Sequence, residues 1–319
     1  MRQLQYILLL LAGVTFAACG LQKEIPQIKT FDDIPYPFTV NKTELPGGIQ
    51  VAYFDEGKGK KTIIFIHGLG SYAPAWKKNI AELSKTHRVI ALDLPGYGKS
   101  SKGTYEASMT FYATVVKDLM ETLNLPSALI GGHSMGGQIA MTMALSWPDK
   151  VDGLILVAPA GFETFTTGQK QWFREVLTPT AVKLTPAETV AENLAWNFYH
   201  MPDDATFMIN DRLAMRDAED FDAYCYIIPE CVKGMVDQPV FDNLKDIQQP
   251  VLVIYGKQDN LIPNRFLNGG KTEDIANAGV AQLPNAELHM VDKAGHFVQF
   301  EKSEEVNQLI NTWIGNLKK

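Results

Sequence analysis

Short, continuously apolar runs alternate with longer amphipathic stretches along most of this chain. Runs at 62–66, 88–92, 127–131, 151–157, 250–255 and 286–291 predict strands buried on both faces, as in a parallel sheet. Two further strands are predicted at 38–43 and 49–55. Met109, Tyr112, Val115, Val116, Leu119, Met120 and Leu123 recur at three-and-four spacing, so that segment predicts a helix with one face on the sheet. Another helix is predicted from just after Ser134 to about Trp147, where Pro148 ends it. Such alternation predicts an α/β fold with a mostly parallel, doubly wound sheet, in which ligands bind outside the carboxyl ends of the strands.

Over 161–244 the alternation stops, and the span is too long for a simple loop. The stretches 171–177 and 188–199 are amphipathic, and Trp172, Trp196, Phe198, Tyr199, Met201, Phe207 and Met208 enrich the region. A helical cap over 161–244 is therefore predicted, inserted into a core made of 38–160 and 245–319. Most of these side chains are expected to hold the cap together, and a few to line a substrate pocket.

The amino end reads differently. One positive charge in Met1-Arg2-Gln3 precedes an apolar run from Tyr6 to Phe16 and the small residues Ala17-Ala18, so 1–18 predicts an export signal. The run is short for a bilayer span. Ala17-Ala18-Cys19 resembles a bacterial lipoprotein cleavage box, although Phe16 stands where leucine is favoured. That resemblance implies that Cys19 is a lipid anchor, that 19–37 form a tether, and that Gly20 directs the protein to the outer membrane of the cell envelope. An ordinary signal peptide cut near Ala18 and an uncleaved anchor are the other readings. Export into an oxidising compartment would allow a disulfide between Cys225 and Cys231, with buried free thiols as the equal alternative.

The chain has 319 residues, 46% of them hydrophobic, enough for one large α/β domain with an insertion. Its net charge of -7 argues against nucleic acid as a partner. Histidines His87, His200 and His289 are scattered without metal-ligand spacing, so neither metal nor cofactor is expected. Gly98-Lys99-Ser100 imitates the end of a phosphate-binding loop, but Asp93 occupies the place of its first glycine. Oligomeric state is left open.

The strongest chemical signal is Gly132-His133-Ser134-Met135-Gly136-Gly137, which follows an apolar run and precedes a helical pattern. A sharp strand-to-helix turn needs small residues two before and two after its apex, and Gly132 and Gly136 supply them. Ser134 would then stand clear of the sheet, with the Met135 N–H pointing toward any oxygen that becomes negative beside it. A serine nucleophile needs a base and a group that orients the base. Asp259, after the strand at 250–255, is the acid candidate, and His296, beyond the strand at 286–291, the base candidate.

Serine, acid, histidine is the chain order of the α/β-hydrolase superfamily, which the sequence resembles from about residue 49 to about 317. His67-Gly68-Leu69-Gly70 matches the family's His-Gly pair, Asp93-Leu94-Pro95-Gly96-Tyr97-Gly98-Lys99-Ser100 its glycine turn, and Gly256, Asp259 and Pro263 its acid turn. The resemblance implies a catalytic triad of Ser134, Asp259 and His296, and a second oxyanion-hole N–H at Leu69. Serine at the elbow argues against the haloalkane dehalogenase and epoxide hydrolase branches, which place aspartate there. His67 and Gly68 are expected to shape the oxyanion turn, and His133 to fill space in the elbow.

The expected activity is that of a serine hydrolase cleaving an ester-like bond through an acyl-enzyme. Its expected partners are a small molecule with an apolar acyl or aromatic portion and, through the lipid anchor, a membrane. Carbon–carbon bond hydrolase, lactonase, aminopeptidase and perhydrolase remain alternatives on the same residues, as does a non-catalytic binding protein. The first of these is disfavoured by Leu69-Gly70-Ser71-Tyr72, which is less glycine-rich than such enzymes often show.

Overall fold

The computed structural model describes residues 25–317. The predicted export signal over 1–18, Cys19 and the first part of the tether lie outside the described residues. Eight strands form one sheet: β1 Asn41–Leu45, β2 Ile49–Glu56, β3 Thr62–Ile66, β4 Arg88–Leu92, β5 Ala128–His133, β6 Val151–Val157, β7 Val251–Gly256 and β8 Ala286–Val291. Their spatial order is β1-β2-β4-β3-β5-β6-β7-β8. The β1–β2 and β2–β4 pairs are antiparallel, and every other pair is parallel.

The helices among the described residues are α1 Lys77–Leu83, α2 Met109–Thr122, α3 Met135–Ser146, α4 Thr167–Val176, α5 Pro179–Leu184, α6 Ala187–Ala195, α7 Thr206–Ala214, α8 Phe221–Asp237, α9 Thr272–Val280, α10 Val298–Glu301 and α11 Ser303–Asn316. Period-two alternation divides the strand residues between two cores. Ile64, Ile66, Ile130, Leu154 and Val253 pack with Val116, Leu119 and Ile139 of α2 and α3. Ile63, Phe65, Leu129, Ile155 and Leu252 face the other way, onto Trp76, Ile80, Ile310 and Trp313. The Phe65 and Trp76 rings stack there at 4.2 Å.

The first strand lies at Asn41–Leu45 rather than at 38–43. It is an edge strand, and its ends are set by pairing with β2, from Asn41↔Tyr53 to Leu45↔Ile49, rather than by its own apolar content. Strand β5 runs to His133, two residues beyond its predicted end, because it keeps pairing with β6 as far as Val157.

Helices α4 to α8 all lie between β6 and β7. Cys225 and Cys231 are free thiols on α8. Six residues along a helix rise about 9 Å, beyond the separation of about 4.4–6.8 Å that a disulfide spans, so the bridge is excluded while α8 is formed. Instead, the Tyr97 hydroxyl donates to Cys231 Sγ at 3.0 Å, and the Tyr112 hydroxyl lies 3.3 Å away. Burial pushes the Cys231 thiol up to about 12, which keeps it protonated. The junction joins α8 to the turn after β4 and to α2.

Asp93 staples that turn. Its carboxylate accepts from Tyr36 Oη at 2.7 Å, Ala73 N at 2.7 Å and Lys99 N at 2.8 Å. A Cβ at Gly98, where φ is 45°, would overlap this carboxylate at 2.2 Å, which is why glycine stands there. The lysine thus belongs to a structural turn.

Replacing Trp76 by alanine removes the stacked partner of Phe65 from the α1 and α11 core. A loss of about 3–5 kcal/mol in unfolding free energy is expected in urea denaturation. A loss below about 1 kcal/mol would mean that the stack contributes little.

Candidate active site

Parallel pairing brings the carboxyl ends of β3, β5, β6, β7 and β8 to one edge, where Ile66 pairs with Gly132, His133 with Val157 and Gly256 with Val291. Ser134, immediately after β5, has φ 54° and ψ −118°, a left-handed backbone unusual for serine. Its amide donates to Val157 O at 3.0 Å, and its carbonyl accepts from Gly137 N and Ala160 N, each at 2.9 Å. A Cβ at Gly132 would lie 2.1 Å from Gly136 O, and one at Gly136 would lie 2.3 Å from Ile66 O. Strand and helix therefore pack backbone to backbone around the apex.

Met135 opens α3, and its amide has no hydrogen-bond acceptor among the described residues; nor does that of Leu69. The turn after β3 closes on the elbow, since a Cβ at Gly68 would lie 3.1 Å from Ser134 Cβ. His67 shapes this turn: Nδ1–H donates to Gly68 O at 2.8 Å, and Nε2 accepts from Leu94 N at 3.1 Å. Burial lowers the His67 pKa, in keeping with the neutral tautomer these bonds require.

His296 and Asp259, separated by 37 residues in sequence, are both buried and meet at 2.7 Å between Nδ1 and Oδ2. The other Asp259 oxygen accepts from Leu261 N at 2.8 Å and Ile262 N at 3.1 Å, so the carboxylate is oriented by its own turn. With Nδ1 facing the acid, Nε2 is the ring position left to act as a base. Ser134 and His296 line one cavity together with Gly68 and Leu69. No hydrogen bond joins Ser134 Oγ to His296 in this structure, a contact that often forms only with substrate bound.

Four residues hold this arrangement, and three of them, Glu301, Asp211 and Arg212, carry no signal in the sequence spacing. His133 does more than fill the elbow, since its Nε2–H donates to the His296 carbonyl at 3.0 Å and ties the serine turn to the histidine loop. Burial drives its pKa well down, and the nearby His296 adds to the shift. Glu301 accepts from Gly295 N at 2.8 Å, Tyr199 N at 3.0 Å and His200 N at 2.6 Å, joining the same loop to the inserted helices. On α7, Asp211 accepts from the Tyr72 hydroxyl at 2.5 Å, and Arg212 donates to Gly70 O. Burial raises the Asp211 carboxyl to about 6.

The cavity holds about 1000 Å³ above Ser134. Its walls include Phe173, Leu177, Val182, Met208, Met215 and Val236 from the inserted helices. Arg212 also lines it, with its guanidinium 4.6 Å from the Tyr224 ring centroid. No carboxylate forms an ion pair with Arg212 among the described residues.

Residues 61–303 match the family described as alpha/beta hydrolase fold, and the chain belongs to that family. It is 31% identical over 287 residues to a 2-hydroxy-6-oxononadienedioate/2-hydroxy-6-oxononatrienedioate hydrolase of Paraburkholderia phymatum, covering 85% of this chain and 93% of that one. Among solved structures, a probable hydrolytic enzyme from Pseudomonas aeruginosa PAO1 is similar with a TM-score of 0.80 and 23% identity, covering 92% of this chain and 99% of that one. A thermophilic esterase from Thermogutta terrifontis is similar with a TM-score of 0.70 and 25% identity, covering 88% of this chain and 100% of that one.

His67 and His133 are neutral in the fold, whereas the unfolded chain takes up their protons below a pKa of about 6.5. Their lowered pKa values therefore support stability above that pH and withdraw it as pH falls. Asp211 works in the opposite sense, gaining its proton more readily when folded as pH drops through about 6. Urea midpoints of wild type and His133→Asn should therefore be compared between pH 7.5 and 5.5. The wild type should lose about 1 kcal/mol more than the variant over that interval. Parallel losses in both proteins would contradict a neutral, buried His133.

Proposed function

We propose that this hydrolase acts through Ser134 as nucleophile, His296 as general base and Asp259 as the acid that orients it, cleaving an ester-like bond of a small molecule. The observation that carries the reading is the buried His296–Asp259 bond of 2.7 Å beside a serine held at positive φ in the same cavity. His296 Nε2 takes the Ser134 proton as Oγ bonds to the substrate carbonyl carbon. The amides of Leu69 and Met135, both without a protein acceptor, receive the carbonyl oxygen as it becomes negative. Collapse of that intermediate breaks the ester bond, and the departing alkoxide leaves as an alcohol with the proton from His296. A water molecule, deprotonated by His296, then attacks the acyl-enzyme, and the acid leaves as Oγ regains its proton. The apolar walls fit a substrate with an acyl chain or an aromatic portion, and helices α4 to α8 act as a cap over it.

A second reading, carbon–carbon bond hydrolysis on the same residues, is favoured by two observations. The Paraburkholderia phymatum relative is named for a dienedioate, and the Arg212 guanidinium in the cavity, which forms no ion pair with a carboxylate among the described residues, suits a substrate carboxylate. Comparing kcat/KM for p-nitrophenyl butyrate with that for a 2-hydroxy-6-oxo-2,4-dienoate decides between the readings. The first predicts preference for the ester.

Ser134→Ala and His296→Ala should each lower ester kcat/KM by about 10³-fold or more, with the fold retained by circular dichroism. Activity within about tenfold of wild type in either variant would contradict the assigned roles.

The amino-terminal reading is part of the same proposal: export, cleavage before Cys19, and lipid anchoring of the enzyme to the bacterial outer membrane. Radiolabelled palmitate should enter the full chain in a bacterial host and be absent from Cys19→Ser. Equal labelling of both would contradict the anchor.

A further inference from the structure

The surface of this protein is unevenly apolar. Among the described residues, every exposed large hydrophobic side chain except Ile25 belongs to the segment between β6 and β7 or to the turn after β7. Phe266 is 75% exposed, Leu184 70%, Trp196 47% and Trp172 37%, with Val176 and Leu261 also exposed. Single exposed apolar residues are ordinary, but a grouping of tryptophan, phenylalanine and leucine on one part of a protein marks an interaction surface.

Helix spacing, hydrogen bonds and ring contacts link these residues except Leu184, which ends α5, the helix that begins at Pro179, three residues after the end of α4. Trp172 and Val176 are four apart on α4, hence on one helix face. Gln169, at the start of the same helix, donates to Leu267 O at 2.8 Å and thereby joins α4 to the turn that carries Phe266. Asn260 donates to Trp196 O at 3.3 Å, and the Arg265 guanidinium lies 4.3 Å from the Trp196 ring centroid and 5.5 Å from that of Phe266. Trp196, Leu261, Arg265 and Phe266 also line the cavity above Ser134, so the apolar surface is the rim of its mouth. No carboxylate forms an ion pair with Arg265 among the described residues.

The place where the chain enters the fold supplies the second observation. Glu219 N donates to Lys29 O at 3.0 Å, Phe31 N donates to Asp220 Oδ2 at 2.7 Å, and the Phe31 ring meets that of Tyr224 at 6.1 Å. The first described residues are therefore tied to the start of α8, within the inserted helices. The 24 residues that precede Ile25 include the apolar run from Tyr6 to Phe16. A membrane anchor in that stretch joins the molecule at the inserted helices, not at the α1 and α11 face.

We infer that the apolar rim formed by α4, α5, the end of α6 and the 260–266 turn docks on a phospholipid bilayer, so that the cavity takes its ester from a membrane lipid. Tryptophan and arginine together are the side chains that settle at the bilayer interface, with rings among the upper acyl chains and the guanidinium at the phosphates. A lipid whose acyl chain leaves the bilayer at the rim enters an apolar cavity of about 1000 Å³ without crossing water. The docking stands on exposure and chain entry alone. The lipid-ester substrate rests also on the serine-hydrolase reading.

The test uses the full chain with vesicles of phosphatidylethanolamine and phosphatidylglycerol that carry bromine on their acyl chains. Of the five tryptophans, Trp172 and Trp196 are exposed, whereas Trp76 and Trp313 are buried and Trp147 is half-buried. Bromine should quench tryptophan fluorescence in wild type and Ser134→Ala alike, and not in Trp172→Phe combined with Trp196→Phe. A chain that sediments with the vesicles yet stays unquenched is held by its amino end alone, which overturns the docking.

In the second arm, Trp172→Ser, Val176→Ser and Leu184→Ser are combined at exposed positions outside the cavity. Hydrolysis of a long-chain lipid ester presented in vesicles should fall about tenfold or more, while turnover of soluble p-nitrophenyl butyrate stays within about twofold of wild type. Unchanged vesicle hydrolysis overturns the inference. So does sedimentation analysis showing that the substitutions convert a dimer to a monomer, which assigns the face to a second copy of the chain. Failure of the serine-hydrolase reading looks different: no turnover of the soluble ester by wild type, with quenching intact.

Discussion

Ser134 is held in a backbone conformation that costs an L-residue on the order of 1–3 kcal/mol, and the neighbouring structure is arranged to impose it. The amide of Ser134 is fixed by β6, and its carbonyl by α3 and by Ala160 just past β6. Glycines at 132 and 136 let β3, β5 and α3 approach at distances that no side chain would survive. The central sheet order, with β5 between β3 and β6, is thus the condition for presenting one hydroxyl at the strands' carboxyl edge. Relaxing the turn would withdraw Ser134 from the cavity and turn the Met135 amide away from it.

Longer-range ties bind the rest of the site to that turn. His133 reaches from the elbow to the His296 carbonyl, and Glu301 links the same loop to residues 199 and 200 of the insertion. From α7, adjacent residues Asp211 and Arg212 grip Tyr72 and Gly70, in the turn that carries the Leu69 amide. The inserted helices therefore contact both the proposed oxyanion turn and the proposed base. Helices tied at these points wall the cavity and hold the turn that carries the Leu69 amide. Water excluded by the apolar walls would otherwise weaken the charge-stabilising hydrogen bonds.

Much of this was legible in the chain because it rests on local rules. Continuous apolar runs marked the parallel strands, since both of their faces are covered, and the Gly-x-Ser-x-Gly spacing marked a turn whose sterics admit little else. Strand β1 starts at Asn41, three residues after its predicted start at 38, because an edge strand takes its limits from its partner. The disulfide alternative fell once Cys225 and Cys231 lay on one helix, a fact that spacing in a segment with ambiguous periodicity did not reveal. The long-range ties of His133, Glu301 and Arg212 have no local signature for a different reason: the partners lie 163, 101 or 142 residues away in sequence, and no local pattern encodes such pairings.

Every proposed step turns on Ser134 Oγ being the attacking atom. Brief exposure of the purified full chain to a fluorophosphonate, followed by digestion and mass spectrometry, tests this most directly. One phosphonylated peptide is expected, modified at Ser134, with loss of that label in His296→Ala under the same exposure. Labelling confined to another residue, or no labelling of a chain that still turns over esters, would contradict it.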